Sequence, residues 1–164
     1  MRSTLQKAAV LLLAVALFAG SGFSQLAEKK ALTLAVAKQI AAAAESEAAS
    51  NKFTMVIAVV DDGDNLIYLE RMDDTQLASI QIAQGKAHTA LAFKRPTKAL
   101  EDQVAGGRNA LLSFPGAVEV EGGLPLMSTE GKVIGAIGVS GGSSPQDGMV
   151  AKAGVDAFAK MIGH

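Results

Sequence analysis

The chain has 164 residues, about half of them apolar, and a formal net charge of −1, so one domain with a single buried core fits its length. Its 15 basic residues are scattered, with no run longer than Lys29-Lys30, so the basic stripe that a nucleic-acid partner needs is missing. With no cysteine, disulfides, thiolate metal sites, iron–sulfur clusters and thiol nucleophiles are excluded; with no Trp and few aromatics, the core must be aliphatic.

Arg2 and Lys7 precede an uncharged apolar stretch, Ala8 to Ala19, and small residues follow at Gly20, Ser21, Gly22 and Ser24. This is the layout of a cleaved secretory signal. The stretch is shorter than the ~20 residues that span a bilayer, which argues against an anchor. Cleavage is expected after Ser24, with Ser21 as the second choice. Residues 25–164 then form one exported domain, in the periplasm or the medium.

Leu26 to about Ser50 is rich in Ala, Leu, Lys and Glu without Gly or Pro, and predicts a long helix with Val36, Ile40 and Ala44 on its inner stripe. Phe53 to Val60 is apolar on both faces and predicts a buried strand. Asp61-Asp62-Gly63-Asp64-Asn65 is a hairpin turn, with Gly63 free to take positive φ, and Leu66 to Arg71 returns as the second strand. Asp73, Asp74 and Thr75 can cap a helix from about Gln76 to Phe93, whose buried side is Ile80, Ala83, Ala87 and Leu91. Gly85 within it reads either as a close crossing or as simple tolerance. A short helix follows from Thr97 through Val104, then a further turn from Arg108 to Leu112.

The last third predicts three strands: Ala117 to Glu121, Leu124 to Ser128, and Val133 to Ser140, with Pro125 favouring an edge position. Ser144 is expected to cap a closing helix, with Pro145 at its first position and Asp147 facing its positive end, that runs to about Ile162. Short turns within each strand group imply an α+β fold, a five-stranded antiparallel sheet flanked by helices in the order α-ββ-α-βββ-α.

Several segments together resemble one family. They are Val59-Val60-Asp61-Asp62-Gly63-Asp64-Asn65-Leu66, Arg71-Met72-Asp73, Gly85-Lys86-Ala87 and Gly122-Gly123-Leu124-Pro125. To these add Gly135-Ala136-Ile137-Gly138-Val139-Ser140-Gly141-Gly142, followed by Gln146-Asp147. In this order and spacing they resemble the GlcG/HbpS-like family over nearly all of residues 25–164. The resemblance implies a profilin-like core with a five-stranded sheet, and homo-oligomers. It also implies haem binding in some members, links to haem degradation or iron in others, and a membrane sensor partner in one exported branch. Other members sit near glycolate or diol metabolism. A binding module is implied more firmly than a reaction, so enzyme activity is left open.

Among residues that could carry chemistry, His88 is the sole interior histidine, and imidazole is the usual protein ligand of haem iron. Its helical position puts it at the edge of the buried stripe, where an ordinary boundary histidine would also sit. The resemblance does not itself specify a histidine there. Met72 and Tyr68 are weaker candidates for iron, readable as core and strand-face residues. Arg71 and Lys86 are the best pair of cations for haem propionates or a small carboxylate, against the alternative that Arg71 pairs with Asp73 or Asp74 and Lys86 is solvated. Gly141-Gly142 before the last helix is a candidate anion cradle or simply a loop and cap. Ser140 lacks a credible triad, and the Asp61–Asn65 run lacks the spacing of a calcium loop. The expected function is an exported haem-binding protein. The alternatives are a small carboxylate- or diol-binding accessory protein and an oligomeric partner of a membrane sensor.

Overall fold

The structure, a computed structural model, describes residues 29–163; the expected leader at 1–24 lies outside them. Helix α1 (Leu34–Ser50) leads into strands β1 (Val56–Asp61) and β2 (Leu66–Arg71), then α2 (Ser79–Phe93) and the short α3 (Lys98–Ala105). A 3₁₀ turn (Asn109–Ser113) precedes β3 (Gly123–Met127), β4 (Val133–Ser140) and α4 (Ser144–Ile162). The strands form one antiparallel sheet in the order β2-β1-β4-β3.

Three layers follow from the alternation along β1. Ile57 and Val59 enter the larger core with Ile40 and Ala44 of α1 and Val150 and Phe158 of α4. Val56, Ala58 and Val60 face the other way, against Ala83, Ala87 and Ala90 of α2. Both faces of β1 are therefore covered, which is why its sequence is apolar throughout. Small residues let α2 lie directly on the sheet. A Cβ at Gly138 would overlap the Ala83 carbonyl oxygen and sit 2.5 Å from the Ala87 nitrogen. On the opposite face, Gly154 allows α4 against α1, because a Cβ there would meet Ile137 at 2.8 Å and Ile40 at 3.1 Å.

The sheet has four strands, which corrects the expected five. Ala117 to Glu121 has no strand partner among the described residues. Val118 donates its N–H to the Thr89 hydroxyl and Glu121 donates its N–H to the Glu101 carboxylate, each at 2.8 Å. Side chains satisfy these amides, so the segment lies over α2 and α3 instead of joining the ladder. It also explains Gly85, where a Cβ would press on Val118 at 2.5 Å. Three smaller differences are local. Helix α1 starts at Leu34, because the Thr33 hydroxyl caps it by accepting from the Val36 N–H. The left-handed residue of the β1–β2 turn is Asp64 (φ 66), not Gly63. Ser143 is the N-cap of α4, with Gln146 accepting from its N–H at 2.9 Å.

Chain direction decides which segments meet at each end of the sheet. Asp61 pairs with Gly135, so the β1–β2 turn and the start of β4 share one end. Strand β2 runs away from that turn and α2 runs back toward it, so the last turns of α2 arrive there too. At the other end, Val56 pairs with both Arg71 and Ser140.

Candidate functional site

The turn end of the sheet carries a cleft made of two adjoining hollows. One part, about 450 Å³, is lined by Asp62, Asp64, His88, Leu91, Lys94 and Val133. A second part, about 520 Å³, shares Asp62 and Val133 with the first and extends past Ser128, Lys132 and Ile134. Leu91, Ala92 and Val133 are the aliphatic residues of the first part, and Val133 and Ile134 those of the second.

His88 stands on the wall of this cleft with its side chain 40% exposed. Its Nδ1 lies 2.5 Å from Asp64 Oδ2. A carboxylate oxygen can only accept, so Nδ1 is the donor, and of the two neutral tautomers this contact selects the one with its lone pair on Nε2. Asp64 can reach His88 because its αL backbone turns the hairpin tip over the end of α2. Asp61 holds that tip: its carboxylate accepts from the N–H of Gly63 at 2.8 Å and of Asn65 at 2.9 Å. The Asn65 amide, foremost, holds the Asp61 carboxyl below its ordinary range. Asp62 pairs with Lys29. The three aspartates of the turn thus have protein partners, in keeping with a turn and not a calcium loop.

The five residues singled out from the sequence do not converge. His88 alone lines the cleft. Arg71 is exposed at the far end of β2, roughly 16 Å along the strand from Leu66 at ~3.3 Å per residue. Lys86 is buried, its side chain 1% exposed, with Nζ 2.6 Å from Asp147 Oδ2 and 3.1 Å from the Val139 carbonyl oxygen. Gly142 donates its N–H to the other Asp147 oxygen at 2.9 Å. The anion held by Lys86 and the Gly141–Gly142 loop is therefore the protein's own Asp147. Burial pushes the Asp147 carboxyl upward, while the Lys86 ammonium and the loop amides pull it back. Gly141 and Gly122 make this close approach feasible. A Cβ on Gly141 would sit 2.9 Å from Met55, and one on Gly122 would sit 3.0 Å from Lys86 Nζ.

Sequence reading missed Asp64, Lys94, Lys132 and Val133 as cleft residues. Asp64 was legible only as a turn residue, since nothing in a one-dimensional pattern joins it to a histidine 24 positions on. The usable signal was topological: a helix following a hairpin must cross back over the sheet and end beside the hairpin tip.

This arrangement defines an α+β domain built on one antiparallel sheet, with helices on both faces and a ligand-sized hollow at one sheet end. The chain belongs to the HbpS-like family: the family model described as "Haem degrading protein HbpS-like" matches residues 32–156. It is similar to protein GlcG of Escherichia coli (strain K12), 42% identical over 112 residues that cover 68% of this chain and 83% of GlcG. The crystal structure of Klebsiella pneumoniae protein ORFY matches with a TM-score of 0.77 at 34% identity, covering 85% of this chain and 98% of that one. A crystal structure of a PduOC–haem complex matches with a TM-score of 0.70 at 32% identity, covering 78% of this chain and 95% of that one.

Proposed function

We propose that the protein is an exported haem-binding protein in which His88 holds the iron through Nε2. The observation that carries this reading is the oriented imidazole. Asp64 accepts the hydrogen bond from the Nδ1–H, so Nε2 is left without a protein partner, among the described residues, on the wall of the cleft. Metal-bound histidines commonly carry such a carboxylate partner, which fixes the ring and raises its basicity. The residues fit the group: an imidazole donor, an apolar surface for the ring, and cations on the rim. The family description and the haem bound by PduOC support the same ligand. Bound haem supplies iron redox and oxygen chemistry. The chain's own part is to bind and orient the group and to cover one of its faces.

A hemin titration tests this. The reading expects a Soret shift at micromolar protein that His88→Ala removes or alters. No shift in the wild-type protein rejects haem, and a shift unchanged in His88→Ala rejects the ligand.

Export rests on the charged and apolar pattern of residues 1–24. Intact mass of protein recovered from the medium or periplasm tests it, with a chain beginning at Gln25 expected and an uncleaved cytoplasmic chain contradicting it. Self-association belongs to the same reading, supported by exposed Leu66, Leu77, Leu112 and Phe114. Light scattering decides it, a monomer being the contrary result.

A second reading has one specific observation in its favour. The lysine-rimmed half of the cleft suits a small carboxylate without any iron. A thermal-shift screen of short hydroxy acids and diols discriminates: stabilisation by an acid in a protein that ignores hemin selects this second reading.

A further inference from the structure

The cleft divides into a histidine half and a lysine half. Its walls carry four lysines, Lys29, Lys30, Lys94 and Lys132, against three carboxylates, Asp62, Asp64 and Glu130, in a chain whose overall balance is acidic. Two of the lysines are already matched. Lys29 pairs with Asp62, and Lys30 holds Glu130 at 2.6 Å and the Thr129 hydroxyl at 2.9 Å. Among the described residues, Lys94 and Lys132 have no carboxylate within ion-pair distance. Their ammonium groups are the unmatched positive charge of the cleft.

The backbones of both are fixed. Lys94 is the C-cap of α2 in the left-handed conformation (φ 52), its N–H donating to the carbonyls of Ala90 and Leu91. Glycine is the low-energy residue at such a position, and a side chain there is strained. A lysine stands there nonetheless, on the cleft wall. Lys132 closes the β3–β4 turn: Ser128 donates its N–H to the Lys132 carbonyl at 2.7 Å, and the Ser128 hydroxyl accepts the Lys132 N–H at 3.2 Å. Lys94 lines one part of the cleft and Lys132 the other, and Val133 belongs to both.

We infer that Lys94 and Lys132 form a carboxylate-binding pair on either side of Val133, which receives the two acid groups of a flat dianionic ligand such as a porphyrin. The inference rests on the haem reading for the identity of the ligand, and it moves the anion site from Arg71 and Lys86 to the turn end of the sheet. The flat ring lies over Leu91 and Val133, and each acid group takes one ammonium. These are solvent-facing pairs, so each contributes modestly and is weakened by salt.

Iron-free protoporphyrin IX separates the two halves of the cleft, because it has both propionates and nothing for His88 to ligate. Its binding is followed by fluorescence, beside a parallel hemin titration, in wild-type protein and four variants: Lys94→Gln/Lys132→Gln, Lys94→Arg/Lys132→Arg, Arg71→Gln and His88→Ala. Far-UV circular dichroism confirms that each is folded. The expected result is a loss of about threefold to thirtyfold in the double glutamine variant for both ligands. The arginine pair retains binding, affinity falls with added salt, and Arg71→Gln is unchanged. His88→Ala changes the hemin spectrum. Equal protoporphyrin affinity in wild type and the double glutamine variant overturns the lysine pair, as does a larger loss in Arg71→Gln. A lysine-dependent protoporphyrin signal with no His88-dependent hemin spectrum leaves the pair standing and removes the iron reading. A hemin spectrum that needs His88 but not the lysines does the reverse. No binding of either ligand removes both.

Discussion

The buried pair of Lys86 and Asp147 gives the sharpest energetic prediction, because its two ends are unequally supplied. Asp147→Ala leaves an ammonium that is 1% exposed with only the Val139 carbonyl as partner. An uncompensated buried charge of this kind costs about 3–5 kcal/mol, a large fraction of the stability of an ordinary domain. Lys86→Met costs less, about 2 kcal/mol at neutral pH, because the remaining carboxyl keeps the Gly142 N–H and can neutralise by taking up a proton. Removing Lys86 also removes two influences that lower the Asp147 pKa, so the folded value rises further above the unfolded value of 3.8. A folded pKa that is raised stabilises the protein below the unfolded value and ceases to do so as pH climbs through the folded one. The Lys86→Met variant therefore loses stability relative to wild type as pH rises above 3.8. The double change Lys86→Met/Asp147→Leu returns to within about 1 kcal/mol of wild type or exceeds it, since an apolar pair of similar volume fills the space. Urea denaturation followed by far-UV circular dichroism, at pH 4.5 and 7.5, measures wild type and the three variants. Single variants as stable as wild type, or a double variant worse than either single, refute the reasoning. Hemin affinity per folded molecule should be the same throughout, because Lys86 spends its charge inside the protein.

Three further outcomes follow from other parts of the molecule. Gly138→Ala should cost several kcal/mol by pushing α2 off β4, and a melting temperature within a degree of wild type would contradict the close approach at Ala83 and Ala87. The Glu130 carboxyl is held down to about 2 by Lys30 and by the Thr129 and Ser128 hydroxyls, against an ordinary value of 4.5. A depressed pKa lends stability above 4.5 that fades as pH falls toward about 2, so the Lys30–Glu130 clasp opens in that window. Carbon-detected NMR of Glu130 showing a midpoint near 4.5 would rule the clasp out. Asp64→Asn should leave stability nearly unchanged at this exposed site, weaken hemin binding and raise the haem reduction potential, since the ligand loses its anionic partner; an unaltered spectrum and potential would remove Asp64 from the site.

Much of the fold was legible because local chemistry and tertiary demand agree. The apolar run at β1, the start of the last helix to within one residue and the span of β4 are all set by neighbours within a few residues. The segment from Ala117 to Glu121 was not, because its strand-like residues are satisfied by Thr89 and Glu101, side chains far away in the chain. The site shows the same divide. His88 announced itself by composition, as a single interior histidine. Lys86 and Gly141-Gly142 looked like an anion site because they do bind an anion, and only the third dimension shows that it is Asp147. Lys94 looked like the residue after a helix, and its place on a cleft depends on how the hairpin and α2 return to the same end.

The cleft at the turn end of the sheet is the centre of this account, and paramagnetic broadening by ferric haem locates the ligand most directly. With one equivalent of hemin added to isotopically labelled protein, the amide signals of Asp64, His88, Leu91 and Val133 should disappear while those of Arg71 and Gly142 persist. Loss of signal centred on Arg71 and Gly142, with the hairpin tip untouched, would contradict it.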